Sequence, residues 1–463
     1  MREMRRNIIV VGVILIALFV MLAVYFLYDS VVFSGRWIGS AYNRRLEEMR
    51  QTTIPGGIYD RNEVMLAGVK HGKRIYAEDR TLRLAVSHAV GDPYGFCSTG
   101  VEMVQGPTLL HYNEGVIDYV IRLVTGQERR GSDVTLTLDS MLNQKAVSLL
   151  GSNEGAVVVM NYKTGEILCL ASAPTFDPIT IDPSKASGGT SGDILVNRAV
   201  QGQYAPGSVF KVITAAAAIE KLGWLDETFL CEGELATGGR EVTCPREHGE
   251  LTLSQAFAQS CNTSFANIGL KVGYKDLVNQ GRKAGFNRSF LFDDVVLYGS
   301  KIALDRKSSE QDVAFAAIGQ HDDITSPLHM AMLASAVANH GMMMEPKMVQ
   351  GVEGKQQVVH PKMYLQAFER ATADKLEKMM ALAVSSGTAR NAALQSVEVC
   401  GKTGTAEVSE DEAMPPHSWF MGYVNDDEHP LAIAVIVEHG GAGSQVATPL
   451  ARKMLAYALE LGY

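Results

Sequence analysis

YAPGSVFKVITAAAAIEKLG, residues 204–223, decides how the rest of the chain is read. Pro206 and Gly207 break the preceding segment, Ser208 to Leu222 is a helix-forming run that is mostly apolar all round, and Gly223 is a stop signal. Such a helix is buried. Ser208 and Lys211 stand three apart in it and share one face. Ser208 falls in the first turn, where backbone N–H groups lack helical partners and the helix end is electropositive. A serine hydroxyl is a poor nucleophile until a base takes its proton. A lysine whose charged form is disfavoured by burial is such a base, and Val209, Val212, Ile213 and the alanines promise the apolar setting. Alone, Ser-x-x-Lys is a weak pattern, expected about once or twice by chance in a chain this long.

Downstream, LTLSQAFAQ reads as a helix leading into Ser260-Cys261-Asn262, and TSPLHMAMLASAVANHG as another, with Thr325 and Ser326 as capping candidates before Pro327. VEVCGKTGTAEV, HSWFMGYV and LAIAVIVEHG read as three strands, and PLARKMLAYALELG as a closing helix on their sheet. Upstream, GAVVVM and EILCLAS are short strands joined by NYKTG, where Gly165 supplies the positive φ of a hairpin turn. Lys-Thr-Gly therefore occurs twice. Lys163 to Gly165 has a sufficient explanation in the turn, with Lys163 a solvated loop residue, whereas Lys402 to Gly404 lies on a strand after the other two motifs. Helices, then an antiparallel sheet flanked by helices, is an α+β architecture. Residues 29–150 read as mixed short strands and helices punctuated by Pro-Gly-Gly at 55–57, Asp-Pro at 92–93 and Gly-Ser at 131–132.

The N-terminus is of another kind. Arg2, Arg5 and Arg6 precede an uncharged apolar run from Ile8 to Tyr28, and roughly 20 such residues span a bilayer. A signal peptide has a shorter apolar stretch, roughly 7–15 residues, and a small-residue cleavage site that YFLYDS does not supply. The expectation is a single-pass anchor in the cell membrane with its N-terminus cytoplasmic and the rest outside. The 463 residues would divide into a tail and anchor at 1–28, a mixed α/β unit at 29–150 and the helix-flanked sheet unit at 151–463. A net charge of −9 argues against nucleic acid as a partner. Of the six cysteines, Cys231 and Cys244 would close a short loop worth about 3 kcal/mol as a disulfide, while Cys169, Cys261 and Cys400, among apolar or small residues, read equally well as buried free thiols. Cys244 and His248 hint at metal ligands, but no Cys-x-x-Cys or His-Glu-x-x-His accompanies them, so no metal or cofactor is expected.

Taken in order, SVFK, SCN at 260–262 and KTG at 402–404 follow the motif order of penicillin-binding proteins and serine β-lactamases, with Cys261 where Asp is usual. IYDRNEVMLA, KTGEILCLASAPTFDP, NRAVQGQYAPGSVFKVITA, SCNTSFA, SPLHMAMLASAVANHG, GTARNAA and GKTGTAE followed by HSWFMGY resemble the class B penicillin-binding proteins, monofunctional peptidoglycan transpeptidases. The likeness covers nearly the whole chain and is strongest from about residue 150 onward.

The resemblance implies a membrane anchor, a pedestal over 29–150 and a penicillin-binding transpeptidase (serine β-lactamase-like) domain over 151–463. Ser208 would be the acylated nucleophile and Lys211 its base. Ser260 would relay a proton to the leaving amine, and Asn262 would bind the substrate backbone. Lys402 would supply fixed positive charge, Thr403 and Thr405 would bind the substrate carboxylate, and the N–H groups of Ser208 and Thr405 would form the oxyanion hole. Gly404 would let an added substrate strand lie close. Substrates would be stem peptides ending in D-Ala-D-Ala, β-lactams would acylate the same serine, and a SEDS-type glycosyltransferase would be the membrane partner. GQHDDITSPLH at 319–329 and Glu63 after Asp-Arg-Asn depart from the family pattern, leaving helix entry near 325 open.

Four other readings compete. A class A β-lactamase needs a Glu-x-x-Leu-Asn loop after the second motif, and this chain has only DSMLN at 139–143, upstream of the nucleophile. EDRTLRLAVSH at 78–88 resembles a glycosyltransferase Glu-Asp motif, but its histidine is displaced and the region is short. A D,D-carboxypeptidase shares all three motifs. A non-catalytic β-lactam sensor or scaffold would lack part of the constellation or add signalling sequence.

Overall fold

The computed structural model describes residues 2–32, 48–50, 52–112, 122, 124–181, 193–223, 228–354, 360–408 and 414–463. Arg2–Val32 is one helix, and its 25 residues Met4–Tyr28, with mean hydropathy 3.2, are long and apolar enough to cross a membrane.

Among the described residues, two five-stranded sheets follow. The first has the order Val349–Val352, Val134–Leu136, Ile58–Tyr59, Met65–Lys70, Lys73–Tyr76, with one parallel pair between Ile58–Tyr59 and Val134–Leu136. Its leading hairpin turns through Glu63 at φ +63, in the left-handed region glycine prefers, while the Asp60 carboxylate accepts the N–H groups of Asn62 and Val64. The departure at Glu63 thus falls on a position with a backbone reason for glycine.

The second sheet is wholly antiparallel, in the order Val399–Ala406, His417–Val424, Leu431–Val437, Gly155–Asn161, Ile167–Ala173. Every residue of the two strands His417–Val424 and Leu431–Val437 is buried, so both faces of the sheet are covered, and the strands read as continuous apolar runs. The Pro327–Ala338 and Ala447–Glu460 helices pack on these two strands, Arg370–Ser385 on the edge strand Val399–Ala406, and Ser140–Leu150 on Ile167–Ala173 at the other edge. The expected α+β layering is what the chain forms.

The expected division at residue 150 is crossed twice. Strand Val349–Val352 leaves the second half of the sequence to pair with Val134–Leu136, and helix Ser140–Leu150 lies against strand Ile167–Ala173 of the second sheet. Strand pairing is a long-range event that no local composition shift announces.

Two helix starts sharpen the sequence reading. Ser326 is the cap before Pro327, its hydroxyl accepting the His329 N–H, so the unusual GQHDDITSPLH segment still enters a helix at the expected place. At the other, Gly207–Phe210 is a 3₁₀ turn and the α-helix proper begins at Lys211. In a 3₁₀ turn side chains three apart eclipse, which aligns Ser208 with Lys211 more closely than the α-helix expected from Ser208 onward.

Candidate active site

Three pieces of chain converge: the Gly207–Phe210 turn, Ser260 ahead of helix Asn262–Val272, and the edge strand Val399–Ala406. Glycines set the fit between the first and third. Gly207 lies at φ +55, and a Cβ on it would stand 2.6 Å from the Thr405 carbonyl oxygen. A Cβ on Gly404 would meet Trp419 Cβ at 2.8 Å and the Pro206 carbonyl at 3.2 Å. The backbone that Gly404 admits is therefore the chain's own, next to the Ser208 turn, a use the sequence reading had reserved for a substrate strand.

Ser260 is held at φ +56, a left-handed conformation uncommon for serine. Helix Leu253–Ala258, started by a capping box between Thr252 and Gln255, delivers the chain there, and the Cys261 N–H closes onto the Ala256 carbonyl at 2.9 Å. The conformation turns the Ser260 carbonyl toward Lys211, whose Nζ donates to it at 2.7 Å and to Asn262 Oδ1 at 2.7 Å. The Ser260 hydroxyl accepts from Lys402 Nζ at 2.8 Å and, more distantly, from Lys211 Nζ at 3.4 Å. Strain at one residue thus positions both lysines around one hydroxyl.

Both lysines are fully buried, at 0 % exposure. Burial pushes the Lys211 ammonium down to about 7, partly offset by the nearby Cys261 and Cys244. Burial also drives Lys402 well below its ordinary value, and the neighbouring Lys211 charge adds to that. Each ammonium has an aromatic face nearby, Phe265 at 5.5 Å for Lys211 and Phe257 at 5.7 Å for Lys402. The fixed positive charge expected at Lys402 is thus opposed, first by desolvation and then by the neighbouring Lys211 charge.

A cleft of about 530 Å³ opens over this cluster, in the size range of small-ligand sites. Ser208, Ser260, Asn262, Thr403 and Thr405 line it, as expected from the sequence. Gly404, Lys211 and Lys402 lie beneath them as buried support. The reading of the motifs had given no role to Thr388, whose hydroxyl is 2.8 Å from that of Thr403 and which also lines the cleft. Its signal was the GTARNAA segment. Nor had it found the far wall, built by Arg240, Val242, Thr243 and Arg246 from the segment between strands Phe229–Cys231 and Gly249–Leu251. No local pattern marks that segment as part of a site.

The first Lys-Thr-Gly is in the expected turn, Gly165 at φ +83, with Lys163 half-exposed and paired to Asp427 at 2.6 Å. All six cysteines are free, so Cys231 and Cys244 are not joined. Although the sequence reading expected no metal ligands, Cys231, Cys244, His248 and Cys261 come together beside the cleft.

With this geometry in hand, comparison with known proteins is direct. Residues 155–456 match the family described as Penicillin binding protein transpeptidase domain. Peptidoglycan D,D-transpeptidase PbpA of Mycolicibacterium smegmatis is 29% identical over 401 residues, 80% of this chain and 81% of its own. Peptidoglycan D,D-transpeptidase MrdA of Acinetobacter baumannii is 29% identical over 370 residues, 69% of this chain and 53% of its own. Among solved structures, penicillin-binding protein A from M. tuberculosis, as a ceftriaxone acyl-enzyme complex, superposes with a TM-score of 0.78 at 25% identity, covering 89% of this chain and 100% of that one. The motif order, the two-lysine cluster around Ser260 and the family match over most of the chain lead to one conclusion: this protein belongs to the penicillin-binding protein transpeptidase family, as a class B member.

Proposed function

We propose that the protein is a peptidoglycan D,D-transpeptidase that works through an acyl-enzyme on Ser208. The observation that carries this reading is the pair of fully buried lysines, Lys211 and Lys402, both donating to the hydroxyl of Ser260 beside the Ser208 turn. A lysine lowered to about 7 is largely neutral just above neutrality and so can serve as a base.

In this reading Lys211 takes the Ser208 proton as the oxygen attacks the carbonyl between the two terminal D-alanines of a stem peptide. The N–H groups of Ser208 and Thr405 receive the oxyanion. The proton travels through Ser260 to the departing D-alanine amine. An amine of a neighbouring strand then attacks the ester, loses its proton back along the same route and frees Ser208. Thr403 and Thr405 bind the substrate carboxylate, whose negative charge would draw Lys402 into its protonated form. Asn262, fixed by donating to the Thr243 carbonyl at 2.8 Å and accepting from Lys211, bonds the substrate backbone. The strand Val399–Ala406 is at a sheet edge, which suits addition of the substrate as a further strand. β-Lactams acylate the same oxygen.

The anchor at 1–28 would hold the N-terminus in the cytoplasm, with a pedestal at 29–150 and the transpeptidase domain at 151–463 outside. A SEDS-type glycosyltransferase is the proposed membrane partner, tested by co-purification from membranes.

The decisive experiment is intact-mass measurement after treatment with penicillin G. One covalent adduct on the wild type and none on Ser208→Ala is expected, and equal labelling of both would overturn the assignment. Release of D-alanine from a pentapeptide without cross-linked product, with acceptor and membrane partner supplied, would favour a carboxypeptidase instead.

A further inference from the structure

Beside the cleft, Cys231, Cys244, His248 and Cys261 present ligand atoms that all lie within 4.8 Å of one another. Separate pieces of chain supply them. Cys231 ends strand Phe229–Cys231, whose antiparallel pairing with Gly249–Leu251 sets Cys231 opposite Gly249 and brings Sγ to 3.3 Å from His248 Nδ1. Cys244 follows strand Val242–Thr243, and Cys261 precedes helix Asn262–Val272; their sulfurs are 3.7 Å apart.

The 3.3 and 3.7 Å separations suit ligands of a shared metal ion. A tetrahedral zinc ion, with Zn–S of about 2.3 Å and Zn–N of about 2.0 Å, holds sulfur ligands about 3.8 Å apart and sulfur and nitrogen about 3.5 Å apart. A disulfide would need its sulfurs at about 2.05 Å. Three sulfurs and an imidazole are, moreover, a soft donor set suited to zinc.

The surroundings of the sulfurs are a second, independent observation. The Asn262 N–H donates to Cys244 Sγ at 3.1 Å and the Thr263 N–H to the same sulfur at 3.5 Å. The Ser264 hydroxyl donates to Cys261 Sγ at 3.1 Å. Donors aimed at sulfur stabilise the thiolate form that binds metal and hold it in orientation. Two of them are first-turn N–H groups with no partner inside their helix.

We propose that Cys231, Cys244, His248 and Cys261 form a closed structural zinc site that fastens the 229–251 segment to the start of the Asn262–Val272 helix. The ligand set stands independently of the acyl-transfer reading; its consequence for catalysis rests on that reading. Cys261 lies between Ser260 and Asn262, and Cys244 directly follows Thr243, whose carbonyl accepts from Asn262 Nδ2 at 2.8 Å. The ion therefore clamps both walls of the cleft at the point where Ser260 and Asn262 are positioned. The four ligands are positioning residues, and binding the ion displaces thiol protons to solvent.

The test uses the full chain purified in detergent without chelator. Elemental analysis is expected to find about one zinc per chain, falling at least about tenfold in Cys231→Ser and in His248→Gln, with Cys169→Ser, a buried cysteine outside the cluster, retaining it. Should the ligand variants fail to fold, the wild type still decides. Stripping with chelator and adding cobalt(II) chloride is expected to produce thiolate-to-cobalt charge-transfer absorption, and zinc chloride to restore the melting temperature and the penicillin acylation rate together. A wild type that carries no zinc and takes none up from zinc chloride overturns the proposal, as does a Cys244–Cys261 disulfide in non-reduced peptide mapping. Zinc at full occupancy without penicillin labelling would leave this site standing and overturn the catalytic reading; labelling without zinc would do the reverse.

Discussion

The tripeptide Lys-Thr-Gly stands at two places in this molecule with opposite physical fates. At Lys163 to Gly165 it turns a hairpin between Gly155–Asn161 and Ile167–Ala173, and the lysine reaches a solvated partner, Asp427. At Lys402 to Gly404 it runs along an edge strand, and the lysine is fully buried under Ser260. The glycines differ as well. Gly165 needs its positive φ for the turn, whereas Gly404 is not among the positive-φ residues and is small because Trp419 and Pro206 crowd it. Three identical residues thus carry no function by themselves. Burial and the strand's place at the sheet edge set the second copy beside the cleft.

The largest expected break of this contrast is Lys402→Ala. Loss of the ammonium that bonds the Ser260 hydroxyl should slow penicillin acylation by about 10²–10⁴-fold, measured as the second-order rate by stopped-flow. A variant within a few-fold of wild type would remove Lys402 from the machinery.

Next in size is pH. Lys211, held near 7, is protonated and useless as a base below that value and neutral above it, so acylation should rise about tenfold per pH unit below 7 and level off above. Because the two lysines interact, the observed midpoint belongs to the pair. A flat profile between pH 5 and 8 would deny Lys211 its role as base.

Gly165→Ala should then act on stability and not on chemistry. A Cβ there would stand 2.2 Å from the Glu345 carbonyl oxygen, on a backbone at φ +83. The expected loss is about 1–3 kcal/mol in denaturant unfolding, with the acylation rate of the folded protein unchanged. The smallest effect is Lys163→Ala, which removes an exposed ion pair and should leave acylation within about twofold of wild type. If this substitution proved the damaging one, the assignment of the two copies would be reversed.

Much of the site was legible because its signals are local. The buried helix after Ser208, the strands around Lys402 and the cap before Pro327 each follow from a few consecutive residues whose periodicity and capping chemistry point one way. The motif order then connected Ser208, Lys211, Ser260, Asn262 and Lys402 before any distance was known. Less was legible where packing overrides propensity. The 3₁₀ turn at Gly207–Phe210 is pressed against the edge strand at Thr405, and nothing in Pro-Gly-Ser distinguishes that from an α-helical start. Strand Val349–Val352 joins a sheet whose other members lie more than two hundred residues earlier.

The sequence by itself determined the order of the three motifs, the apolar lengths that form helix and strand, and the turn chemistry of the first Lys-Thr-Gly. Only the tertiary structure decided that both lysines are stripped of solvent around one hydroxyl, that Ser260 is held left-handed to receive them, and that three cysteines and a histidine meet beside the cleft. The division has a single physical reason. Side-chain periodicity and capping are set between neighbours in the chain, whereas desolvation, backbone strain and ligand convergence exist only once distant segments have packed.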